Sequence, residues 1–430
     1  MALSSSASYE LRGMRLRDHR IQVPLDPAAP GGEQITVFAR EIADAAIPAS
    51  AELPWLLYLQ GGPGGRGIRP LALGGWLKEA TASFRVLMLD QRGTGLSTPA
   101  SRQSLALRGD AAAQAEYLSR FRADAIVADA EALRRELAGG PWSIYGQSFG
   151  GFCALTYLSQ APEGLREVLV TGGLAPLSGS ADRVYRGTFG RVRARNAEYF
   201  GWYPQDRAIV TRIIEHLRGV DERLPTGERL TPERFQMVGN FLGGNTRVDG
   251  LHYLLEDAFE PTPAGERLSD AFLEQVAGQV SRAANPLYAV LHESIYAQDG
   301  ATAWSAWRML AENPDFAPDA PEPLLTGEMV YPWYFDQDPA LRPLKEVAEL
   351  LAARTGWPAL YDVGRLARNT VPVAAAVYSD DIYVDRDLSL ETAAAVAGLQ
   401  VWETDEFHHD GITDDGEAIF ARLLSMVRGT

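Results

Sequence analysis

The stretch from Trp142 to Gln160 reads WSIYGQSFGGFCALTYLSQ and passes from a short apolar run to a longer one with helical spacing. The small residues Gly146 and Gly150 stand two before and two after Ser148, the spacing that a strained strand-to-helix turn needs. Such a turn lifts the hydroxyl above a sheet and aims the N–H of Phe149 at a developing oxyanion. The competing interpretation is a tight helix start capped by Ser148. The position between a strand and a helix favours a nucleophile.

Apolar runs on both sides of this stretch predict further strands, and segments with helical spacing separate them. Strands that alternate with helices are typical of a parallel, doubly wound sheet, so we expect an α/β fold. The first forty residues alternate apolar and polar positions, which predicts antiparallel strands. The predicted strands are Arg17–Pro24, Gln34–Glu41, Pro54–Leu59, Phe84–Asp90, Trp142–Tyr145, Val168–Thr171, Val371–Tyr378 and Gly398–Glu403. The predicted helices of the same layers are Phe121–Leu137, Phe149–Gln160, Leu388–Ala397 and Asp415–Val427.

The middle of the chain has a different pattern. From about Ser178 to Tyr361 it shows helical periodicity, many aromatic residues and few strand signals, with a loop rich in proline and acid at 313–323. The α/β pattern then returns. We therefore predict one α/β domain made of residues 1–177 and 362–430, interrupted by a mostly helical cap of residues 178–361.

A serine nucleophile needs a base, and the base needs an orienting carboxylate. In a doubly wound sheet of this kind the chain order is serine, acid, histidine, each on a loop beyond a strand. Of six histidines, only His408 and His409 follow a late strand and precede the last helix, and Asp380 and Asp381 end the strand before it. Neighbouring residues on an extended loop point apart, so one member of each pair serves. We predict Asp381 and His409, because His409 begins the turn into the final helix; the competing interpretation of the histidines is two surface side chains.

The glycine-rich loop from Gly61 to Gly67 allows two interpretations. Gly62-Pro-Gly-Gly-Arg-Gly67 matches G-x-G-x-x-G after a strand, and Asp90 ends the next strand, as in a dinucleotide fingerprint. Against it, Asp90 lies 28 residues after Gly62 rather than about 20, and Pro63 has no N–H. In a hydrolase the same loop supplies a second oxyanion N–H, which we predict to be that of Gly62.

The composition narrows the class of protein. The 430 residues carry a formal net charge of −16 at pH 7, which argues against a nucleic-acid or anionic-membrane partner. The only cysteine, Cys153, excludes an intramolecular disulfide and fits a core position in a reducing compartment. We expect no secretion signal and no membrane span, and therefore a cytoplasmic protein.

Three motifs now stand in order: Gly61-Gly-Pro-Gly-Gly65, Asp90-Gln-Arg-Gly-Thr-Gly-Leu-Ser97 and Gly146-Gln-Ser-Phe-Gly-Gly151. Together they resemble the proline iminopeptidase (prolyl aminopeptidase) family of α/β-hydrolase serine peptidases, whose acid and base positions Asp381 and His409 also match. The chain departs from many members by having Gln60 in place of histidine and Phe149 in place of tryptophan. The oxyanion donor at residue 149 is a backbone group, so neither difference touches the chemistry. The resemblance implies a structural role for Asp90 and Arg92.

The resemblance also implies removal of an N-terminal residue, preferably proline, from a peptide with a free N-terminus, without a metal or organic cofactor. In this family cap carboxylates hold the substrate amine. The candidates are Glu293 and Glu328, each in a stretch that mixes an acid with aromatic residues, and Glu256 and Asp257 are weaker ones. The competing interpretation is that these acids are solvated.

Two other functions fit parts of the sequence. An esterase or amidase acting on a small non-peptide substrate would use the same triad but would have no use for the cap carboxylates. A dinucleotide-dependent oxidoreductase would use the Gly62–Gly67 loop and Asp90 instead.

Overall fold

The computed structural model describes residues 3–245 and 247–429. Its strands are β1 Leu3–Ser5, β2 Tyr9–Leu11, β3 Met14–Pro24, β4 Gln34–Asp44, β5 Trp55–Leu59, β6 Arg85–Asp90, β7 Trp142–Gln147, β8 Leu165–Thr171, β9 Phe259–Thr262, β10 Gly265–Leu268, β11 Val373–Tyr378 and β12 Leu399–Thr404. Its α-helices up to the middle of the chain are α1 Gly75–Thr81, α2 Arg102–Leu105, α3 Ala111–Leu118, α4 Ala123–Leu137, α5 Phe149–Gln160, α6 Ala181–Trp202, α7 Pro204–Gly219, α8 Pro232–Gln236 and α9 Arg247–Glu256. The later ones are α10 Asp270–Val280, α11 Pro286–Leu291, α12 Ser305–Leu310, α13 Tyr334–Gln337, α14 Lys345–Ala353, α15 Val363–Leu366, α16 Arg386–Ala395 and α17 Gly411–Arg428. Within the described ranges, no helix has the length and apolar character needed to cross a membrane.

Ten of the described strands form one sheet, in the order β1-β3-β4-β6-β5-β7-β8-β11-β12 with β2 also paired to β3. Strands β3, β4 and β6 pair antiparallel. From β6 to β12 every neighbouring pair is parallel. The predicted mostly parallel, doubly wound sheet is confirmed, as is its antiparallel part in the first forty residues.

The order of the parallel strands places the functional loops together. After β5 the chain adds β6 on one side of it and then crosses to add β7 on the other side. Ligands of such sheets bind beyond the carboxyl ends of the strands at the point where the order reverses. The loop after β5, the start of α5 after β7 and the loops after β11 and β12 all leave this edge of the sheet. They carry Gly62, Ser148, Asp381 and His409.

Helices cover both faces of the sheet because its parallel strands are apolar on both sides. On one face α1 and α17 bury Trp76 and Phe420 against the sheet residue Tyr145, with ring centroids 5.2 Å from Tyr145 in both cases. On the other face α4 and α5 bury side chains such as Ile126 and Phe152. Burial of this kind stabilises the fold by roughly 25 cal/mol per Å² of apolar surface.

The segment between β8 and β11 contributes no strand to the main sheet within the described residues. Helices α6 to α15 lie in it, together with a short antiparallel hairpin of β9 and β10. The hairpin is a strand pair inside a segment that the sequence pattern predicts to be mostly helical. The boundaries of the cap at residues 178 and 361 stay a prediction.

The last helix starts earlier than its sequence predicts. It begins at Gly411 rather than Asp415, and it runs across a kink at Asp415, whose backbone is non-helical at φ −146° and ψ 62°. A change of backbone conformation inside a helix interrupts the apolar periodicity, which is why the pattern identifies only the part after the kink.

Helix α5 packs so closely on β5 that a side chain at residue 150 has no room. A Cβ at this position would overlap the carbonyl oxygen of Leu59. We therefore expect Gly150→Ala to lower the free energy of unfolding by at least about 2 kcal/mol in urea titrations, because backbone must move. Gly190→Ala is the matched control on α6, where a Cβ meets nothing within 4 Å. It should change stability by roughly 1 kcal/mol or less, in the stabilising direction. Equal urea midpoints of unfolding for Gly150→Ala and Gly190→Ala would contradict the close packing of α5 on β5.

Candidate active site

Ser148 sits at a strained turn between β7 and α5. Its backbone lies at φ 54° and ψ −125°, a region that residues with a side chain rarely adopt. The glycines around it make the turn possible. A Cβ on Gly146 would lie 2.5 Å from the carbonyl oxygen of Gly150, and one on Gly151 would overlap that of Gly173. This is the geometry expected of a nucleophile held above the end of a sheet.

A chain of hydrogen bonds connects Ser148 to two residues from distant loops. Ser148 Oγ lies 3.0 Å from His409 Nε2, and His409 Nδ1 lies 2.8 Å from Asp381 Oδ2. The other oxygen of Asp381, Oδ1, accepts the backbone N–H groups of Tyr383 and Val384 at 2.8 and 3.0 Å. The carboxylate is thereby fixed on both sides, and all three members of the chain are buried.

The two neighbouring histidines have different surroundings. Burial acts to lower the pKa of His409, but the charge and hydrogen bond of Asp381 outweigh it and raise that pKa to about 9, with Glu328 and Asp410 adding to the rise. His408 instead places Nδ1 3.2 Å from the carbonyl oxygen of Asp380, and burial lowers its pKa. Of these two neighbouring histidines, His409 is therefore the one that lies between Ser148 and a carboxylate.

Two backbone N–H groups lie beside the serine and are not used elsewhere. Phe149 is the first residue of α5, where N–H groups have no partner within the helix. The loop after β5 approaches so closely that a Cβ on Gly61 would lie 3.0 Å from Ser148 Cβ. Among the described residues no hydrogen bond involves the N–H of Gly62 or of Phe149. Both groups are free to donate to an oxyanion.

A cavity of about 470 Å³ opens above Ser148 and His409, and Glu328 lines the same cavity. The carboxylate of Glu328 is half-buried, and Tyr288 donates its hydroxyl hydrogen to Glu328 Oε1 at 2.6 Å. His292 Nε2 lies 3.0 Å from the backbone oxygen of Glu328 and holds the segment in place. One carboxylate of the cap therefore faces the candidate nucleophile.

The structure does not bring Glu293 to this cavity. Its carboxylate accepts the backbone N–H groups of Ser305 and Ala306 at 2.9 and 2.8 Å, so it caps the start of α12. Burial raises the pKa of Glu293, although these amides act against the rise. Glu256 and Asp257 are exposed and line no part of the cavity. Of these four candidate carboxylates, only that of Glu328 therefore lines the cavity.

Several lining residues were not predicted from the sequence. Tyr288, Arg282 and Arg247 come from the cap, and Tyr383 and Asp410 come from the loops of the acid and the base. Tyr288 lies in the aromatic stretch from which Glu293 was predicted. That stretch does line the cavity, but through Tyr288 rather than Glu293. Arg247 and Arg282 could not be identified from the sequence, because one sequence does not show which part of the cap faces a cavity.

Asp90 and Arg92 support the loops instead of facing the cavity. The buried carboxylate of Asp90 accepts the N–H groups of Gly67 and Leu96 at 3.0 and 2.8 Å and pairs with Arg69. Arg92 forms two hydrogen bonds to the buried Asp129. Asp90 is therefore engaged and not available for a ribose, and the Gly62–Gly67 loop does not open a helix, since α1 begins only at Gly75. Both observations oppose the dinucleotide interpretation.

Comparison with known proteins identifies the family of the chain. Residues 54–205 match the alpha/beta hydrolase fold family. The chain is 48% identical to a proline iminopeptidase of Aeromonas sobria over 429 residues, which cover 99% of this chain and 100% of that protein. It is 36% identical to the proline iminopeptidase aneH of Aspergillus aculeatus, over 96% of this chain and 93% of that protein. The chain belongs to the proline iminopeptidase family. Membership explains why the three glycine-containing motifs occur in series.

The pKa of His409 can be tested without any substrate. In protein labelled with ¹³C-histidine, we expect the His409 ring to titrate near pH 9 in NMR spectra. Asp381→Asn removes the main charge that stabilises the imidazolium, and burial then dominates, so this pKa should fall toward or below its ordinary value of about 6.5. His408, which does not contact Asp381, is the internal control and should move little. An unchanged titration of His409 in the variant would contradict the proposed pairing.

Proposed function

We propose that this chain is a serine aminopeptidase that releases the N-terminal residue, preferably proline, from peptides with a free N-terminus. The observation that carries the proposal is one cavity that contains both the Ser148–His409–Asp381 chain and the carboxylate of Glu328. The first group suits acyl transfer and the second suits a cationic amine. The preference for proline rests on the relatives of similar length, both of which are named proline iminopeptidases.

In the proposed acylation step, Ser148 Oγ attacks the carbonyl carbon of the N-terminal residue while His409 Nε2 takes the hydroxyl proton. The tetrahedral oxyanion accepts hydrogen bonds from the N–H groups of Phe149 and Gly62. His409 then gives its proton to the nitrogen of the leaving peptide, the C–N bond breaks and an ester to Ser148 remains. Asp381 holds the ring in the required tautomer and stabilises the imidazolium.

In the deacylation step, a water molecule takes the place of the leaving amine. His409 removes one proton from the water as its oxygen attacks the ester carbonyl, and the same two N–H groups hold the oxyanion. The C–O bond to Ser148 then breaks, and the proton returns from His409 to Ser148 Oγ. The products are the free amino acid, the shortened peptide and the regenerated serine.

The proposed role of Glu328 is to select substrates that carry a free N-terminus. Two unit charges about 4 Å apart attract by roughly 4 kcal/mol at an effective dielectric constant near 20. Tyr288 occupies Oε1 and fixes the carboxylate, which leaves Oε2 for the ammonium or iminium group. A blocked N-terminus would bury this carboxylate without a partner and would therefore be rejected. An esterase acting on neutral substrates would gain nothing from such a group.

We also propose a cytoplasmic location. The only cysteine, Cys153, is fully buried in α5, so the fold needs no oxidising compartment. Fractionation of cells that produce the protein with its native sequence, followed by detection with an antibody, tests the location.

Ser148→Ala tests the nucleophile. We expect hydrolysis of a proline arylamide to fall by at least about 10⁴-fold, because removal of the attacking atom leaves only binding and the oxyanion donors. The unfolding midpoint of the variant should stay close to that of the wild type, which distinguishes a loss of catalysis from a loss of folding. Hydrolysis at the wild-type rate would overturn the triad.

Glu328→Gln tests recognition of the amine. We expect kcat/KM for the free proline arylamide to fall by about 10²- to 10³-fold, while the N-acetylated arylamide stays a poor substrate for both proteins. Glu256→Gln makes the same change on an exposed carboxylate outside the cavity and should leave kcat/KM unchanged within about twofold. Equal effects of the two substitutions, or efficient hydrolysis of the acetylated compound by the wild type, would count against an exopeptidase.

A further inference from the structure

A second cavity of about 500 Å³ lies beside the first. The α/β part of the chain supplies one wall from 64–66, 93–95 and 99–101, and residues 283–287 supply the other. Ala284 and Asn285 line both cavities. The proposed chemistry at Ser148 does not use this second space.

The partition between the cavities is thin. Gly64 and Asn285 meet there, and a Cβ on Gly64 would lie 2.5 Å from Asn285 Oδ1 and 2.8 Å from the Cβ of Leu287. Asn285 Oδ1 also accepts the N–H of Tyr288 at 3.2 Å. The side-chain NH₂ of Asn285 donates no hydrogen bond within the described residues, so it is available to a peptide carbonyl. Because Asn285 lines both cavities, a chain that passes over its side chain would reach the second one.

A buried carboxylate holds the wall on the α/β side together. Its two loops are joined by Asp90, which is fully buried and accepts the N–H of Gly67 from one loop and that of Leu96 from the other. A Cβ on Gly95 would lie 3.1 Å from the Cβ of Arg66, so the two loops also touch at this point. A wall held together in this way is preorganised, and preorganisation lowers the entropic penalty of binding.

Arg66 gives the second cavity a positive charge without a partner. Its side chain is exposed and lines the cavity, and it makes no hydrogen bond or ion pair in the part of the chain that the structure describes. Most other arginines near this edge of the sheet are engaged, as Arg69 is with Asp90 and Arg92 with Asp129. A guanidinium without a partner can donate hydrogen bonds to a carboxylate that enters the cavity.

We propose that the second cavity receives the carboxyl-terminal part of a short peptide substrate and that Arg66 binds its terminal carboxylate. This inference rests on the proposed function, because the peptide must have its N-terminus at Glu328 and its first peptide bond at Ser148. An extended peptide advances 3.3–3.6 Å per residue, so only a chain of suitable length reaches both charges. The substrate class is then short peptides with both termini free.

The test uses peptides made of proline followed by one to four glycines, each as the free acid and as the C-terminal amide, beside proline arylamide. Wild-type enzyme should release proline from the acid about two- to fivefold faster, in kcat/KM, than from the amide at the chain length that reaches Arg66. Arg66→Gln should abolish this difference and leave arylamide hydrolysis unchanged. Arg66→Lys should retain part of the difference, because the charge is kept while the fork-shaped donor set is lost.

Arg218→Gln is the matched control. Arg218 is an exposed arginine on α7 that lines neither cavity, so this variant should keep the acid–amide difference of the wild type. An equal loss in both variants would assign the effect to overall charge and overturn the subsite. Arylamide hydrolysis with no acid–amide difference at any length would overturn the subsite alone. No arylamide hydrolysis by the wild type would overturn the proposed function and the subsite with it.

Discussion

The turn at Ser148 is the constraint on which the rest of the structure depends. Ser148 combines φ 54° with ψ −125°, a strained conformation that persists only where the surrounding structure enforces it. Those surroundings are the close approach of α5 to β5 and to the loop at Gly173, which requires glycine at residues 150 and 151. At the same turn, Phe149 begins α5 with a free N–H, and the loop of Gly61 lies against Ser148 Cβ. Strain in one residue is thus supported by the packing of a helix on the central strands.

Parallel strands extend this arrangement to residues that are distant in sequence. His409 lies 261 positions after Ser148, and Asp381 lies 28 before His409, yet all three lie in one hydrogen-bonded chain. They meet because β7, β11 and β12 end at the same edge of the sheet. The backbone N–H groups after Asp381 then fix its second oxygen, so the acid is oriented by its own loop. The sheet sets the position of each group, and local backbone sets its direction.

The sequence predicts the sheet and Ser148, Asp381 and His409 because each is marked by a short local pattern. Apolar runs mark the strands, and small residues mark the turn at Ser148. The cap is different, because helical periodicity shows that a helix is buried but not which neighbour it faces. Glu293 and Glu328 have similar sequence surroundings, yet one caps α12 and the other lines the cavity. The choice depends on where α12 begins in space, which is a property of tertiary packing.

The carboxylates around His409 raise its pKa, and one of them, Glu328, is also the proposed partner of the substrate amine. Asp381, Glu328 and Asp410 all favour the imidazolium, but a general base must be neutral when it takes a proton. Asp410 is already paired with Arg247 at 2.5 Å, and Asp381 is required to orient the ring. Under the proposed function, an ammonium group beside Glu328 neutralises the remaining carboxylate and so lowers the pKa of His409 when substrate binds. A blocked substrate brings no such charge. Under the proposed function, Glu328 would therefore both select the free amine and adjust the pKa of His409.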